Sequence, residues 1–289
     1  MSAASGEGLL VIDKPSGPTS HDIVAIVRRV AGIKRVGHAG TLDPLATGVV
    51  VVGLGRATRL LRYVQESPKE YVAQVRFGVA TDSLDADGLE TWREPMTVSR
   101  EQVSASLSGF RGVIKQVPPM VSAIKIGGRR LHEMARAGEE VEREPRSVEI
   151  YQIELVDFED GAFPLGILRI ECSKGTYVRV LADDIAKTMG GRAHLESLRR
   201  TRVGSFGLDG SLKVDSIDRW EEALLPPVAA VGGMPRLVVG EDQRLRASHG
   251  RPLEVTGLEG PVAVLDSVGD LVAVYAVADG VGRPQVVIS

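Results

Sequence analysis

A single loop holds most of the residues in this chain that could do chemistry. It runs from Gly37 to Gly48 with the sequence GHAGTLDPLATG, so that Asp43 lies among three glycines, a proline, two threonines and His38. Glycine and proline at this density favour tight turns and close approach of a ligand to the backbone. Such a loop suits chemistry by a single carboxylate, although the same residue types also form ordinary turns.

The elements on either side of the loop must position this carboxylate. Residues 49–52 are four valines in a row, an uncharged β-branched run that is typical of a buried strand. Residues 9–13 predict a short strand, and a helix follows it, with Thr19 or Ser20 as its cap and Gly32 at its end. The apolar face of that helix is predicted to comprise Ile23, Ile26, Val27 and Val30. The carboxylate is therefore expected at the rim of a sheet.

Further along the chain, the patterns predict a mixture of strands and helices. Residues 70–79 alternate apolar and polar side chains, which indicates a half-buried strand. The remaining predicted strands are 117–125, 147–157 and 165–173, and the remaining predicted helices are 99–109, 129–137 and 178–189. This order of elements favours an α+β fold with an antiparallel or mixed sheet.

A change in composition marks a boundary near 205–236, where glycine, proline and short polar turns accumulate. After it, the sequence predicts a short helix at 241–249 and strands at 262–265 and 271–275. We expect a small β-rich domain at 236–289. It resembles a PUA-like barrel, which implies an accessory RNA-binding module, and a stabilising C-terminal appendage is the alternative.

Bulk properties are those of an ordinary globular protein. The 289 residues are 43% hydrophobic and 25% charged, which allows a large core and two domains. No stretch approaches the ~18 consecutive apolar residues of a membrane span, and residues 1–8 lack the pattern of a signal peptide. Cys172 is the only cysteine, which excludes an internal disulfide. These features favour the cytoplasm.

Charge is unevenly distributed along the chain. The net charge of -3 argues weakly against a nucleic-acid partner, because phosphate binding needs cations. The cations are clustered, however, and the main groups are Arg28, Arg29, Lys34 and Arg35; Arg56, Arg59 and Arg62; Lys125, Arg129, Arg130 and Arg136; and Arg199, Arg200 and Arg202. Local basic faces on an acidic body are compatible with RNA binding, and equally with plain solvated surfaces.

Five motifs in a fixed order give the chain a resemblance to a known family. The loop at 37–48 resembles the active-site loop of the TruB family of tRNA pseudouridine synthases, and four further segments match within about residues 9–204. These segments are VIDKPSG at 11–17, KEY at 69–71, TDSLDADG at 81–88, and CSKGTYVR at 172–179 with LRR at 198–200.

The resemblance implies a fold and a domain division. The fold is a pseudouridine-synthase-like mixed or antiparallel sheet flanked by helices, followed by a small PUA-like domain rich in β-strands. The catalytic domain is expected at 1–225, with an RNA-contacting insertion near 95–150, and the PUA-like domain at 236–289.

The resemblance also implies which residues act. Asp43 is the expected nucleophile, and whether it attacks C1′ of the ribose or C6 of the base stays open. Arg179 is expected to pair with the catalytic carboxylate, because an ionised carboxylate in a closed pocket needs a partner. Tyr71 is expected to stack on the uracil and is a candidate for removing the C5 proton. The other expected substrate-binding residues are Lys14, His38, Asp85, Tyr177 and Leu198. Of these, Asp85 is expected to join the polar network of the site, and Lys14 to support either the loop or a phosphate.

No cofactor is expected, because pseudouridine formation needs no metal, nucleotide or redox group, and no phosphate-binding loop, dinucleotide fingerprint or metal motif is found. The segment at 82–88 has partial calcium-loop spacing, but Ser83 replaces the first acidic ligand and a strand precedes it, so a calcium site is rejected.

The sequence therefore predicts a monomeric, cytoplasmic isomerase that converts uridine 55 in the T loop of tRNA to pseudouridine after base flipping. Two alternatives remain. One is a tRNA-binding folding chaperone with incidental catalysis. The other is a small-molecule hydrolase, which would need a second catalytic carboxylate near Asp43.

Overall fold

The computed structural model describes residues 6–120, 125–126, 128–130, 134, 139 and 141–288. The chain forms two compact units. Unit 1 comprises Met1–Pro44, Gly48–Glu66 and Val203–Ser289, and unit 2 comprises Leu45–Thr47 and Ser67–Arg202. Unit 1 therefore combines segments that are far apart in the sequence, since it contains both the N-terminal and the C-terminal segments.

Strands dominate both units. In chain order they are β1 (Gly8–Lys14), β2 (Val36–His38), β3 (Thr47–Leu54), β4 (Lys69–Phe77), β5 (Val79–Thr81), β6 (Glu90–Arg93), β7 (Gly112–Gln116), β8 (Lys125–Ile126), β9 (Arg129–Arg130), β10 (Arg146–Glu159), β11 (Leu165–Cys172), β12 (Ala193–Val203), β13 (Phe206–Gly207), β14 (Leu212–Lys213), β15 (Arg236–Val238), β16 (Leu253–Glu254), β17 (Gly260–Leu265), β18 (Leu271–Ala278) and β19 (Val281–Val287).

The α-helices are α1 (Ser20–Ala31), α2 (Leu61–Glu66), α3 (Arg100–Ser106), α4 (Val178–Thr188) and α5 (Glu241–Ser248). Short 3-10 helices occupy Gly55–Leu60, Leu107–Phe110, Val214–Arg219 and Pro227–Val231. Within the described part of the chain, no helix has both the length and the apolar character needed to cross a bilayer.

In unit 1, β1 and β3 build the support of the Asp43 loop. They pair antiparallel from Gly8 opposite Leu54 to Lys14 opposite Gly48, and β2 pairs with the far end of β3. The valines at 49–52 are fully buried, which confirms the predicted buried strand. Strand β3 leaves the loop directly, so the position of the loop is fixed by a sheet with apolar contacts on both faces.

Helix α1 begins as the sequence predicts. Thr19 is the N-cap, and its hydroxyl accepts from the backbone of Asp22 while the Asp22 carboxylate accepts from the backbone of Thr19. Gly32 ends the helix in the left-handed conformation. The buried face is Ser20, Ile23, Val24 and Val27, whereas Val30, predicted to lie on it, is exposed at the last turn.

The C-terminal part of unit 1 is a separate five-stranded sheet in the order β15-β17-β18-β19-β16, which confirms the predicted β-rich domain. One face of this sheet has its own core with α5, where Tyr275 is fully buried and its hydroxyl donates to the carbonyl of Arg251 at 2.6 Å. The other face shares a core with β1, β3 and α2 through Leu265, Val274 and Ile288. The C-terminal sheet therefore contributes to the same hydrophobic core as the strands that carry the Asp43 loop.

Unit 2 is built on antiparallel strands in the order β12-β4-β11-β10-β7. Tyr71, Ala73, Val75 and Phe77 form the buried side of β4, as the alternation predicts. The strands predicted at 147–157 and 165–173 correspond to β10 and β11, and the helix predicted at 178–189 corresponds to α4.

The segment around 112–130 differs from the sequence prediction. The strand there is β7, which ends at Gln116, and no strand continues through Val117, Pro118 and Pro119, since proline cannot donate to a ladder. The short strands β8 and β9 pair as a hairpin where a helix from residue 129 was predicted, because the Gly127–Gly128 pair favours a tight turn between strands. Most of the predicted helix at 129–137 lies outside the described residues.

Two glycines with left-handed backbone, Gly78 and Gly190, differ in the space available for a side chain. Gly78 links β4 to β5 with φ of 85°, and a Cβ atom there would lie 2.7 Å from the Glu94 carbonyl and 2.8 Å from the Phe163 ring. Gly190 follows α4 with φ of 79° and has open space around the same position.

We expect Gly190→Ala to cost about 1–2 kcal/mol and Gly78→Ala roughly 1–3 kcal/mol more. Urea denaturation of both variants measures the loss in the free energy of unfolding. Equal losses for the two variants would contradict the predicted difference.

Candidate active site

The Asp43 loop connects β2 to β3, and polar contacts hold its backbone on both sides of the carboxylate. Before it, the Leu42 amide donates to the Ser20 hydroxyl at 2.8 Å, and that hydroxyl donates back to the Leu42 carbonyl at 3.3 Å. After it, the Pro44 carbonyl accepts from the Gly17 amide at 2.9 Å. Asp43 itself is half-buried. The peptide groups flanking Asp43 are thus fixed, which pre-organises its side chain.

Lys14 completes this support. Its side chain is fully buried, and Nζ donates to the carbonyls of Pro15 at 2.9 Å, Pro18 at 2.8 Å and Pro44 at 3.1 Å. A buried ammonium group is tolerated only when such acceptors replace its water shell. The structure therefore places Lys14 within the framework of the Asp43 loop.

Two histidines meet beside the loop in unit 1. His38, at the end of β2, is half-buried, and its ring lies edge-to-face on His21 of α1, with 5.1 Å between centroids and 84° between planes. Edge-to-face contact is a favourable geometry for paired aromatic rings. His21 was not among the predicted site residues.

In unit 2, the central feature is a buried ion pair. Arg179 lies in the first turn of α4, and its Nη1 donates to Oδ2 of Asp85 at 3.1 Å, with both side chains less than one-tenth exposed. The other oxygen of Asp85 accepts from the Ser83 hydroxyl at 2.5 Å and from the Asp87 amide at 3.3 Å. Asp85 is therefore the centre of a polar network in unit 2. Pairing of Arg179 with Asp43, which lies in unit 1, stays a prediction.

The loop that carries Asp85 has its own anchors. Thr81 donates its hydroxyl proton to the Asp85 carbonyl at 2.7 Å, and the Leu195 amide of β12 donates to the Leu84 carbonyl at 3.0 Å. Leu84 adopts φ of 64°, which is unfavourable for a branched side chain and persists only where neighbours enforce it. The loop is thus held by β12 in the conformation that presents Asp85 to Arg179.

Tyr71 and Leu198 lie on neighbouring strands of unit 2. Tyr71 is 9% exposed on β4, and Leu198 is half-buried on β12. Next to Tyr71, Glu70 accepts from the Thr201 hydroxyl at 2.6 Å, which ties β4 to β12 at this level. That hydrogen bond, aided by Arg202, holds the pKa of Glu70 below its ordinary value despite partial burial.

The middle of α4 is fastened by Asp183. Burial opposes ionisation of this carboxyl, but hydrogen bonds from Arg192 at 2.7 Å and from Lys187 outweigh it, so the pKa of Asp183 lies below its ordinary value. Asp183 also accepts from the Ala193 amide at 3.2 Å, which joins α4 to the start of β12. The orientation of the helix, and with it Arg179, is therefore fixed at its first turn and at its middle.

The described residues give no support for a metal site or for catalysis by a cysteine thiolate. They contain no group of three His, Cys, Asp or Glu side chains placed to hold a metal ion. Cys172 is fully buried, and burial raises the pKa of its thiol to about 11, so it stays protonated and unreactive at neutral pH. The available groups are one carboxylate in a rigid loop, a buried arginine, and aromatic rings.

Sequence patterns did not reveal the residues that position these groups. Ser20 is predicted only as a helix cap, and no sequence pattern indicates Gln116, the last residue of β7, whose side chain accepts from the Tyr177 amide at 3.0 Å. Both use side-chain hydrogen bonds to a backbone distant in sequence, and no local pattern encodes such contacts.

Two family profiles match the chain. The profile described as TruB family pseudouridylate synthase (N terminal domain) matches residues 28–178. The profile described as tRNA Pseudouridine synthase II, C terminal matches residues 234–289.

Individual proteins give the same result. The tRNA pseudouridine synthase B of Symbiobacterium thermophilum is 47% identical over 249 residues, which is 86% of this chain and 83% of that protein. That of Thermobifida fusca is 43% identical over 290 residues, covering 97% and 98%. Among solved structures, a Cbf5-Nop10-Gar1 complex contains a chain with a TM-score of 0.75 and 26% identity, covering 98% of this chain and 84% of that one.

The buried pair in unit 2 makes a testable contribution to stability. Asp85→Ala should lower the free energy of unfolding by about 3–5 kcal/mol, because it leaves a buried guanidinium without its carboxylate. Glu154→Ala is the matched control, since it breaks the exposed pair with Arg169, which has a similar distance of 2.8 Å, and should cost at most about 1 kcal/mol. Urea denaturation compares them, and a loss below about 1 kcal/mol for Asp85→Ala would contradict the role of the pair.

Proposed function

Since the chain belongs to the TruB family of pseudouridylate synthases, and is thereby an isomerase that forms pseudouridine in tRNA, we propose that its target is uridine 55 in the T loop. The observation that carries this proposal is the identity of 40% or more with tRNA pseudouridine synthase B over nearly the whole chain. The intact loop around Asp43, held on both sides by hydrogen bonds, supports it.

The reaction is an isomerisation in which atoms balance without a co-reactant. The N1–C1′ bond of the uridine breaks, the uracil turns over, and a C5–C1′ bond forms. The proton lost from C5 is matched by the proton gained at N1. We propose that Asp43 supplies the nucleophile, at C1′ or at C6, and that no metal or cofactor takes part.

The proposed roles of the other residues follow from their environments. Arg179, oriented by Asp85, is assigned as the cation that keeps the Asp43 carboxylate ionised. Flipping the target base out of its stack costs about a few kcal/mol. We assign Tyr71 to stacking on the uracil, which recovers part of this free energy. Tyr71 is also the candidate for accepting the C5 proton. His38, Tyr177 and Leu198 are assigned to binding, and Lys14 to support of the loop.

We further propose that residues 1–225 form the catalytic domain, that the insertion near 95–150 contacts RNA, and that residues 236–289 form the PUA-like domain. The partner is the T stem-loop of tRNA, and the enzyme acts as a monomer in the cytoplasm. Support for the compartment comes from the single, buried and unreactive cysteine, which suits a reducing environment.

A tRNA-folding chaperone that keeps an incidental catalytic site is the second candidate function. It predicts that tRNA binding survives loss of the nucleophile, and the filter-binding part of the following experiment measures this.

Asp43→Asn should reduce turnover to below detection, because an amide cannot act as the nucleophile. Its affinity for tRNA should stay within about twofold of wild type, since the substitution preserves the shape of the loop. Tritium release from an unmodified tRNA transcript labelled at C5 of uridine measures turnover, and filter binding measures affinity. Release by the variant at the wild-type rate would contradict the nucleophile assignment.

Tyr71→Leu should lower kcat by roughly 10- to 100-fold, because one base–aromatic stacking contact is worth ~1–3 kcal/mol. Tyr151→Leu is the matched control, since Tyr151 lies on β10 with nearly half of its surface exposed, and should keep wild-type activity. The same tritium assay compares the two variants after circular dichroism confirms their folding. Equal rates would show that Tyr71 has only a structural role.

A further inference from the structure

The start of helix α4 is held by a residue outside the helix. Gln116, the last residue of β7, is 2% exposed. Its amide makes two hydrogen bonds to the backbone of Tyr177: Oε1 accepts from the Tyr177 N–H at 3.0 Å, and Nε2 donates to the Tyr177 carbonyl at 3.3 Å. A neutral amide can donate and accept at the same time, which an ionised carboxylate cannot do.

These bonds replace a cap that the helix lacks. Tyr177 is the N-cap of α4, and its side chain makes no capping bond. In an ordinary capping box, a Glu or Gln at the third helical position would bond the N-cap amide, but Val180 occupies that position in α4. Gln116 supplies this bond from a neighbouring strand.

The turn before α4 is fastened from the same side. The Ser173 amide donates to the Glu149 carbonyl at 2.8 Å, and the Glu149 amide donates to the Ser173 hydroxyl at 2.9 Å. Glu149 lies on β10, which pairs with β7, so that Arg146 lies opposite Gln116. The two strands that border segment 117–145 therefore both hold the turn at 173–177.

Arg179 lies only two residues after Tyr177, in the first turn of α4. A shift of the Tyr177 backbone would move the first turn of α4. The guanidinium of Arg179, which is paired with Asp85, would move with it. Misplacement of a reacting or charge-stabilising group by about 1 Å can cost 10²-fold in rate.

We propose that Gln116 is a positioning residue for the isomerisation, which acts through the backbone of Tyr177 to set the placement of Arg179. This inference rests on the proposed role of Arg179 in the reaction. Gln116 touches no reacting atom, and its effect is on kcat rather than on tRNA affinity. Gln116 also joins β7, the strand before segment 117–145, to α4, the helix that carries Arg179.

The test begins with Gln116→Leu, which keeps the approximate size of the side chain and removes both hydrogen bonds, and Gln116→Glu, which removes only the donor while its carboxylate is ionised. Turnover and KM are measured by tritium release from C5-labelled tRNA transcript, well below the melting temperature of each variant. We expect kcat to fall roughly 10- to 100-fold for Gln116→Leu, with KM within about twofold, and a measurable loss for Gln116→Glu.

Two controls separate positioning from stability. Gln152→Leu makes the same substitution on the exposed side of β10 and should keep wild-type kcat. Val75→Ala removes buried volume from β4, and it should lower the melting temperature while leaving kcat within about twofold. If kcat follows the melting temperature alone in all variants, the positioning role is overturned.

A double-mutant cycle with Arg179→Lys then tests whether Gln116 acts through the arginine. Residues that act as one unit show strongly non-additive losses, so Gln116→Leu should cost far less in the Arg179→Lys background than in wild type. Full additivity, or unchanged kcat in Gln116→Leu, would overturn the inference while leaving the proposed function intact. Absence of release by the wild type would instead overturn the proposed function, and this inference with it.

Discussion

The buried pair of Arg179 and Asp85 is the constraint on which the rest of unit 2 depends. Neither charge can leave water unless the other compensates it and the remaining polar atoms are satisfied. This requirement explains why the Asp85 loop bends through a left-handed leucine, and why α4 is fastened at its start by Gln116 and at its middle by Asp183. The surrounding structure fixes the geometry of a pair that would otherwise be destabilising.

Unit 1 meets a related requirement with a cation and the backbone. Lys14 is as deeply buried as any core residue, and three carbonyls take the place of its water shell. One of these carbonyls belongs to Pro44, directly after Asp43. Both units thus use a buried cation to fix a loop, with a carboxylate as the partner in one and peptide groups in the other. Fixed dipoles of this kind need little reorganisation during a reaction.

Local patterns predicted much of this structure. The valine run, the α1 cap, the alternation of β4 and the helix at Arg179 all follow from short-range rules on burial and capping. The residues of β9 were predicted as the start of a helix, because the cations and apolar residues from 129 onward fit both periods. Ser20, His21 and Gln116 were missed as positioning groups because their contacts join segments far apart in sequence. Motif resemblance supplied the proposed roles of Asp43 and Tyr71, which no periodicity could provide.

The burial of Cys172 has a practical consequence for spectroscopy of this enzyme. With a thiol pKa of about 11, only about one molecule in 10⁴ carries a thiolate at pH 7, and the side chain is inaccessible as well. The natural chain therefore behaves as a cysteine-free background for maleimide chemistry. Fluorophores or spin labels can be attached at newly introduced surface cysteines without first replacing the native one, so distances within the protein become measurable in an otherwise unaltered sequence.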